Sequence, residues 1–209
     1  TKLVDVAGVD SLNGKQMVLN YTDKNGIKRT GTLNLDTTNT TFSIDLDGDG
    51  NTTDPNETFS IYNGSGDPLN LNTTADNMTY QQLNDLISMA TSGTLPKQGV
   101  STTAQTAINN AIAFGVAGNA ANLATQTALA KTGVSTETAS YIQKAIDAGI
   151  IRDNPASSAA QVAQATLDYN NAIGNANLAE YNYAVSTAKN SVEVNLDYQG
   201  KMTIKDKTA

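Results

Sequence analysis

Apolar side chains recur at every second position near both ends of this chain and at every third or fourth position through its middle, which predicts strands, then helices, then strands. Residues 3–9, Leu-Val-Asp-Val-Ala-Gly-Val, read as an opening strand. Residues 15–21 and 26–35 read as a hairpin: Met17, Leu19 and Tyr21 alternate on one arm, Leu33 and Leu35 mark the other, and Asp23-Lys-Asn-Gly supplies tight-turn residues. The tetrapeptide Thr-Phe-Ser-Ile then occurs twice, at 41–44 and 58–61, on either side of an acidic, Gly-containing stretch. Phe42 with Ile44, and Phe59 with Ile61, fall at strand spacing, so the two copies predict a hairpin with a charged tip. Asn63 to Pro68 breaks the chain, and 70–78 is a polar connector.

The period changes at Thr79. Thr79 and Gln82 stand at capping-box positions, Tyr80, Leu83, Leu86, Ile87 and Ala90 follow at helical spacing, and Gly93 with Pro96 ends the segment. Four further helical stretches are expected at about 103–113, 120–131, 135–148 and 157–189, separated by Gly115 to Gly118, by Gly133 and by Gly149 to Pro155. Gly174 is a candidate kink in the last of them, and its charged residues Asp168, Glu180 and Lys189 read as a solvated face. Residues 191–196 and 201–205 form a closing hairpin, Val192, Val194 and Leu196 against Met202 and Ile204, with Asp197 to Gly200 as its turn.

The fold class is therefore α+β: an N-terminal antiparallel β region, an Ala-rich helical region, and a C-terminal hairpin expected to rejoin the sheet. Residues 1–95 are expected to be mainly β, 96–190 mainly helical, and 191–209 the closing hairpin. The chain begins at Thr1 without an initiator Met, so it is expected to be a fragment of a larger protein.

Composition narrows the chemistry. The 209 residues contain no His and no Cys, which excludes His- or Cys-based catalysis, Cys/His zinc sites and thiol redox within this chain. Paired carboxylates remain available for glycoside hydrolysis, but Trp is absent and aromatic residues are few, so the lining of a substrate groove is lacking. Tyr169, Tyr181 and Tyr183, at helical spacing, serve as core residues or as a stacking surface. The chain is expected not to be an enzyme. Thirteen basic against twenty acidic side chains give a net charge of −7, which argues against nucleic acid and against an anionic membrane as partners. No apolar run approaches the ~20 residues of a membrane-spanning helix.

The acidic tip carries the candidate chemistry. Asp45, Asp47, Asp49 and Asn51 follow the opening half of a calcium loop, in which oxygens at positions one, three and five converge on the ion and Gly makes the sharp turn. The second half departs from that pattern: position twelve is Asn56 and the carboxylate falls one place late, at Glu57, while the flanking segments read as strands and not helices. Two readings stand side by side, a Ca²⁺ site closed by Asp54 or Glu57, or a solvated turn in which Asp and Asn bond the local backbone. No other cofactor is expected.

Three segments carry a resemblance: Asn13-Gly-Lys-Gln-Met-Val-Leu-Asn-Tyr-Thr-Asp-Lys-Asn-Gly26, Thr74-Ala-Asp-Asn-Met-Thr-Tyr-Gln-Gln-Leu-Asn-Asp-Leu-Ile-Ser-Met89, and Val192-Glu-Val-Asn-Leu-Asp-Tyr-Gln-Gly-Lys-Met-Thr-Ile-Lys-Asp206. In texture and order they resemble the outer part of flagellin-like bacterial flagellar axial proteins, most of all the hook-filament junction family (hook-associated protein 3) in its enlarged form. The third segment looks like the hairpin where such an outer domain returns toward the core. The resemblance implies an exported, extracellular structural protein of the flagellum that forms a homo-oligomeric ring between hook and filament. Its partners would be other axial subunits, a hook-associated protein and flagellin, met through terminal helices that have no counterpart in these residues. A calcium-stabilised domain of a bacterial adhesin or surface-layer protein is the alternative expectation.

Overall fold

The computed structural model describes residues 1–54, 56–196 and 202–207. Among them the chain forms six helices, a four-stranded antiparallel sheet and a separate two-stranded antiparallel sheet, a mixed α+β fold. It divides into two compact units: Thr1–Ser65, Asn72–Pro96 and Asn182–Ala209 form the first, Gly66–Leu71 and Lys97–Tyr181 the second.

In the first unit β1 (Gln16–Thr22), β2 (Lys28–Asn34), β3 (Thr41–Ile44) and β4 (Thr58–Ser60) follow one another as a meander. The repeated tetrapeptides pair across β3 and β4 with Phe42 opposite Phe59, the ring centres 5.7 Å apart and the planes inclined by 53°. Leu33, Phe42, Ile44 and Ile61 turn inward, and Phe42 finds room because residue 31 is Gly; a Cβ there would collide with its ring. The helix α2 (Tyr80–Ser92) shares this core through Leu83, Leu86, Ile87 and Ala90. The Thr79 side chain accepts from the Gln82 amide, Gln82 accepts from the Thr79 amide, and Gln82 Nε2 donates to Tyr62 O and Thr73 Oγ1. The capping box therefore also ties the helix start to Tyr62 and Thr73, in the connection that follows β4.

Two expectations are corrected in this unit. The opening residues form not a strand but a single helical turn, α1 (Leu3–Ala7), ended by Gly8 at φ 64°. Of its apolar residues only Leu3 is buried, and the segment is held by backbone bonds from Leu3 N to Met78 O and from Tyr80 N to Thr1 O, so the Val-Asp-Val alternation had no sheet neighbour to pair with. The closing hairpin, β5 (Val192–Leu196) and β6 (Met202–Asp206), belongs to the same unit, but among the described residues its strands pair with each other and do not rejoin the four-stranded sheet. Its Val194 packs on the first core, and just before it Lys189 Nζ lies 2.8 Å from Asp85 of α2. The expected turn at Asp197 to Gly200 lies outside the described residues.

The second unit is helical: α3 (Thr102–Val116), α4 (Ala120–Ala130), α5 (Thr136–Asp153) and the first part of α6 (Ala159–Ser191), which continues into the first unit after Tyr181. Each helix begins at a polar side chain that accepts from the amide three residues on: Ser101 from Ala104, Asn119 from Asn122, Ser135 from Thr138 and Ser158 from Gln161. The core is built from Ala107, Ile108, Ala111, Ile112, Ile142 and Ile146, small and branched residues that allow close helix approach.

Glycines read from sequence as helix breaks stand inside helices here. Gly115 of α3 faces Ile150 of α5, and Gly149 of α5 faces Ile112 of α3, so two isoleucines seat reciprocally where a Cβ would stand. α5 runs to Asp153, past the expected end at 148. Gly174 does not split α6, which runs unbroken through it; it admits the carbonyl of Pro68. Glu180 is not on a solvated face either: it is 4% exposed and accepts from the Ser135 amide at 2.6 Å, closing the turn that precedes α5.

Gly174→Ala separates propensity from packing. Helix propensity alone favours the variant by about 1 kcal/mol, whereas forcing a methyl group against a backbone carbonyl costs roughly 1–3 kcal/mol. The expected outcome is a net loss of stability, read as an earlier urea midpoint for the helical signal; a later midpoint would show that the Pro68 segment yields freely.

Candidate cation site in the acidic hairpin

The chain leaves β3 at Ile44 and enters β4 at Thr58, and the intervening loop gathers three carboxylates. Oxygens of Asp45, Asp47 and Asp49 lie within 4.8 Å of one another. The loop winds because each acidic or amide side chain bonds the backbone ahead of it. Asp45 accepts from the Gly48 amide at 2.6 Å and from the Gly50 amide at 2.9 Å, Asp47 from the Asp49 amide, Asp49 from the Asn51 amide. Gly48 and Gly50 have φ of 86° and 84°, a conformation that side chains with a Cβ rarely adopt, which is why Gly alternates with Asp here.

The electrostatics follow from this geometry. Amides of Gly50 and Gly48 hold the Asp45 carboxyl below the usual carboxylate range. Asp54 is pushed the other way, first by partial desolvation and then by the charges of Asp49, Glu57, Asp47 and Asp45. One carboxylate therefore feels four others, a concentration of negative charge that repels itself even in water. A positive group balances part of it from outside the loop: Arg29 of β2 donates to Leu46 O at 2.7 Å and to Asp45 O at 3.3 Å, and its Nε lies 3.4 Å from Asp23 in the β1–β2 turn. The guanidinium thus clamps the first turn of the loop to the neighbouring hairpin.

The residues expected from sequence take different places. Asp45, Asp47 and Asp49 come together. The side-chain oxygen of Asn51 points along the loop, accepting from both the amide and the hydroxyl of Thr53. Glu57 lies outside the three-aspartate cluster and is only 2% exposed. Its Oε1 accepts from the Leu46 amide at 2.6 Å, and its Oε2 is buried with no hydrogen-bond partner. Leaving a buried acceptor unsatisfied costs about 1–3 kcal/mol. Sequence reasoning missed Arg29; its place opposite the first acidic residues depends on the register of β2 and β3, which pairs Gly31 with Ile44.

Such an all-oxygen donor set suits a hard divalent cation and neither a soft transition metal nor a phosphate. The three tyrosines do not form a stacking surface. Tyr169 carries the Arg152 guanidinium 4.5 Å from its ring centre and accepts from Gln105, Tyr181 is buried, and Tyr183 is exposed. An open groove of about 410 Å³ between α5 and α6, bordered by Tyr141, Lys144, Asp147 and Asp168, has Lys144 turned over the Tyr141 ring. No protein-family model matches the chain, and no curated protein or solved structure does either.

Replacing Arg29 by Met is expected to loosen the loop while leaving the loop's own carboxylates in place, although it also removes the ion pair with Asp23. Loss of the two charge-assisted bonds to Asp45 O and Leu46 O should cost roughly 1–3 kcal/mol, measured by urea unfolding, with amide exchange rising first in 45–50. Unchanged exchange there would show that the aspartate-to-backbone bonds alone hold the turn.

Proposed function

We propose that this chain is a non-enzymatic structural domain of an exported bacterial surface assembly, of the flagellar axial kind, and that its acidic hairpin tip holds a Ca²⁺ ion. The observation that carries the cation reading is the convergence of Asp45, Asp47 and Asp49 within 4.8 Å around a glycine-bent turn. Their carboxylates, with an oxygen from Asn51, are the ligands we assign to the opening half of the site. Carboxylate and carbonyl oxygens at such spacing serve Ca²⁺ by replacing its water shell. In a surface protein the ion would act as a local staple, removing the self-repulsion of the tip and fixing the turn.

The flagellar reading rests on the resemblance of three segments, and all three fall in the first unit: 13–26 on β1 and its turn, 74–89 on α2 and the residues before it, 192–206 on the closing hairpin. On this reading the domain is displayed outward, while assembly with hook-associated and flagellin subunits is carried by helices elsewhere in the parent protein. The non-enzymatic reading rests on the absence of His and Cys from the sequence. The acidic loop equally favours a calcium-stabilised adhesin or surface-layer domain, and the flanking sequence separates the two: long amphipathic helices for the flagellum, recurrent Asp loops for the adhesin.

Two measurements test these readings separately. Calorimetric titration of the chelator-treated protein with CaCl₂ should show one site, with the heat lost in Asp47→Ala; no heat from the parent protein ends the cation reading. Mass spectrometry of isolated flagella should find the parent protein there, and its deletion should shed filaments. Filaments that stay attached, or a parent protein found elsewhere, end the flagellar reading.

A further inference from the structure

We propose that the outer edge of β1 is a self-association surface, where two copies of this chain pair their β1 strands antiparallel about a two-fold axis at Leu19. Two four-stranded sheets thereby join into one. The contact depends neither on the cation reading nor on the flagellar one.

β1 is one border of the four-stranded sheet, and among the described residues β2 is its only strand neighbour. The phase of that ladder is set at both ends: Lys15 O accepts from Leu35 N, and Asp23 N donates to Ile27 O. In an antiparallel pair the residues whose backbone groups aim at the neighbour alternate along the strand. Odd-numbered residues therefore bond β2, and Gln16, Val18, Asn20 and Thr22 turn their amides and carbonyls to the outer edge. All four residues are exposed. Sheets protect such an edge by keeping it short or by placing charges or Pro along it. The opposite border is short: β4 has three residues, and the chain beyond it bridges back on itself at Tyr62 and Asn72. β1 runs for seven residues with no charge and no Pro.

The same phase, with the charges at the strand ends, selects a second copy as the occupant and fixes its register. Outward-facing residues must meet outward-facing residues, so the two-fold axis passes through a residue and not between two. An axis at Leu19 uses the whole strand, with Gln16 opposite Thr22 and Val18 opposite Asn20 as the bonded pairs. The other pairs are the close, non-bonded ones, Leu19 on its own copy and Met17 on Tyr21. These three side chains are half-buried at the border of the first core, and pairing covers the apolar surface they leave there. At both ends of the ladder the exposed Lys15 comes opposite Asp23 of the second copy, and no like charges stand opposite each other. Moving the axis to Asn20 sets Asp23 against Met17, and moving it to Val18 sets Lys15 against Tyr21. The half-buried Asp23 retains acceptor capacity: its Oδ1 takes the Asn25 and Ile27 amides, while Arg29 Nε lies 3.4 Å from Oδ2, longer than the about 2.7–2.9 Å of a full charge-assisted bond. Because the contact is isologous it closes at two copies and builds no fibre.

The test is the mass of the whole chain by light scattering across a dilution series. It should show twice the 21.8 kDa chain mass when concentrated and the single mass when dilute. Val18→Lys, at a position 56% exposed, should weaken the dimer at least tenfold with the Tm of the dilute protein unchanged. The chain has no Cys, so single cysteines report the register. Leu19→Cys should give a disulfide-linked dimer on mild oxidation, because a close pair brings the two Cα atoms to about 4.5 Å, within disulfide reach. Val18→Cys, although more exposed, should link more slowly, since Asn20 and not its own copy stands opposite. Where Leu19→Cys melts early, a mixture of Val18→Cys and Asn20→Cys decides instead, and it should link faster than either variant alone. A parent chain that keeps the single mass up to about 1 mM overturns the proposal, as does a dimer that Val18→Lys leaves at parent affinity. Faster linking through Val18→Cys than through Leu19→Cys, or a mixture no faster than its components, overturns the axis at Leu19.

Discussion

The scarcity of large apolar side chains is the constraint on which the architecture turns. Much of the apolar content is Ala, which removes little surface from water per residue, so stability has to come from bringing backbones close together. Glycine does this at the tightest points. Phe42 lies against Gly31 in the sheet, Ile112 and Ile150 seat on Gly149 and Gly115 between α3 and α5, and the Pro68 carbonyl enters α6 at Gly174. Each large group is accommodated because its neighbour has no side chain. Each unit thereby obtains its own core, one centred on Phe42, Leu86 and Met78, the other on Ile108, Ile142 and Ile146.

Polar side chains take up the work that apolar ones leave. Hydroxyl and amide groups begin the helices, Gln82 links α2 to the strand region, and Glu180 closes the turn before α5. The acidic hairpin is the extreme case of the same economy. Its tip has no apolar core of its own, and Leu46 is exposed, so its shape is set by carboxylate-to-amide bonds and by the Arg29 clamp. Winding a loop this way concentrates acceptors and negative charge. Within the loop the amides of Gly48 and Gly50 stabilise Asp45, but they leave Glu57 Oε2 without a partner.

Much of this was legible in order along the chain. Period-two residues placed β1 to β4, the Thr79 to Gln82 box and Gly93 placed α2 within a residue at its start, and helical spacing found α3 to α6. These features are local: a cap, a turn or an alternation involves groups a few residues apart. Misreadings came where the deciding neighbour is distant. Gly115, Gly149 and Gly174 look like breaks until the partner across the interface is known, and Glu180 looks solvated until Ser135 is placed beside it. Residues 3–9 alternate like a strand, yet Leu3 alone is buried and the segment coils into one turn.

The acidic loop divides in the same way. From the sequence alone came the ligand types, their alternate spacing, the hairpin that carries them and the exclusion of His- and Cys-based chemistry, all properties of composition and short range order. Tertiary structure decided which oxygens meet. It turned Asn51 along the loop, brought Arg29 in from β2, and used the left-handed Asn56 to face Glu57 inward although it stands one residue out of register. Those outcomes depend on strand register and on burial. Both arise from pairings between residues far apart in the chain, which local spacing does not encode.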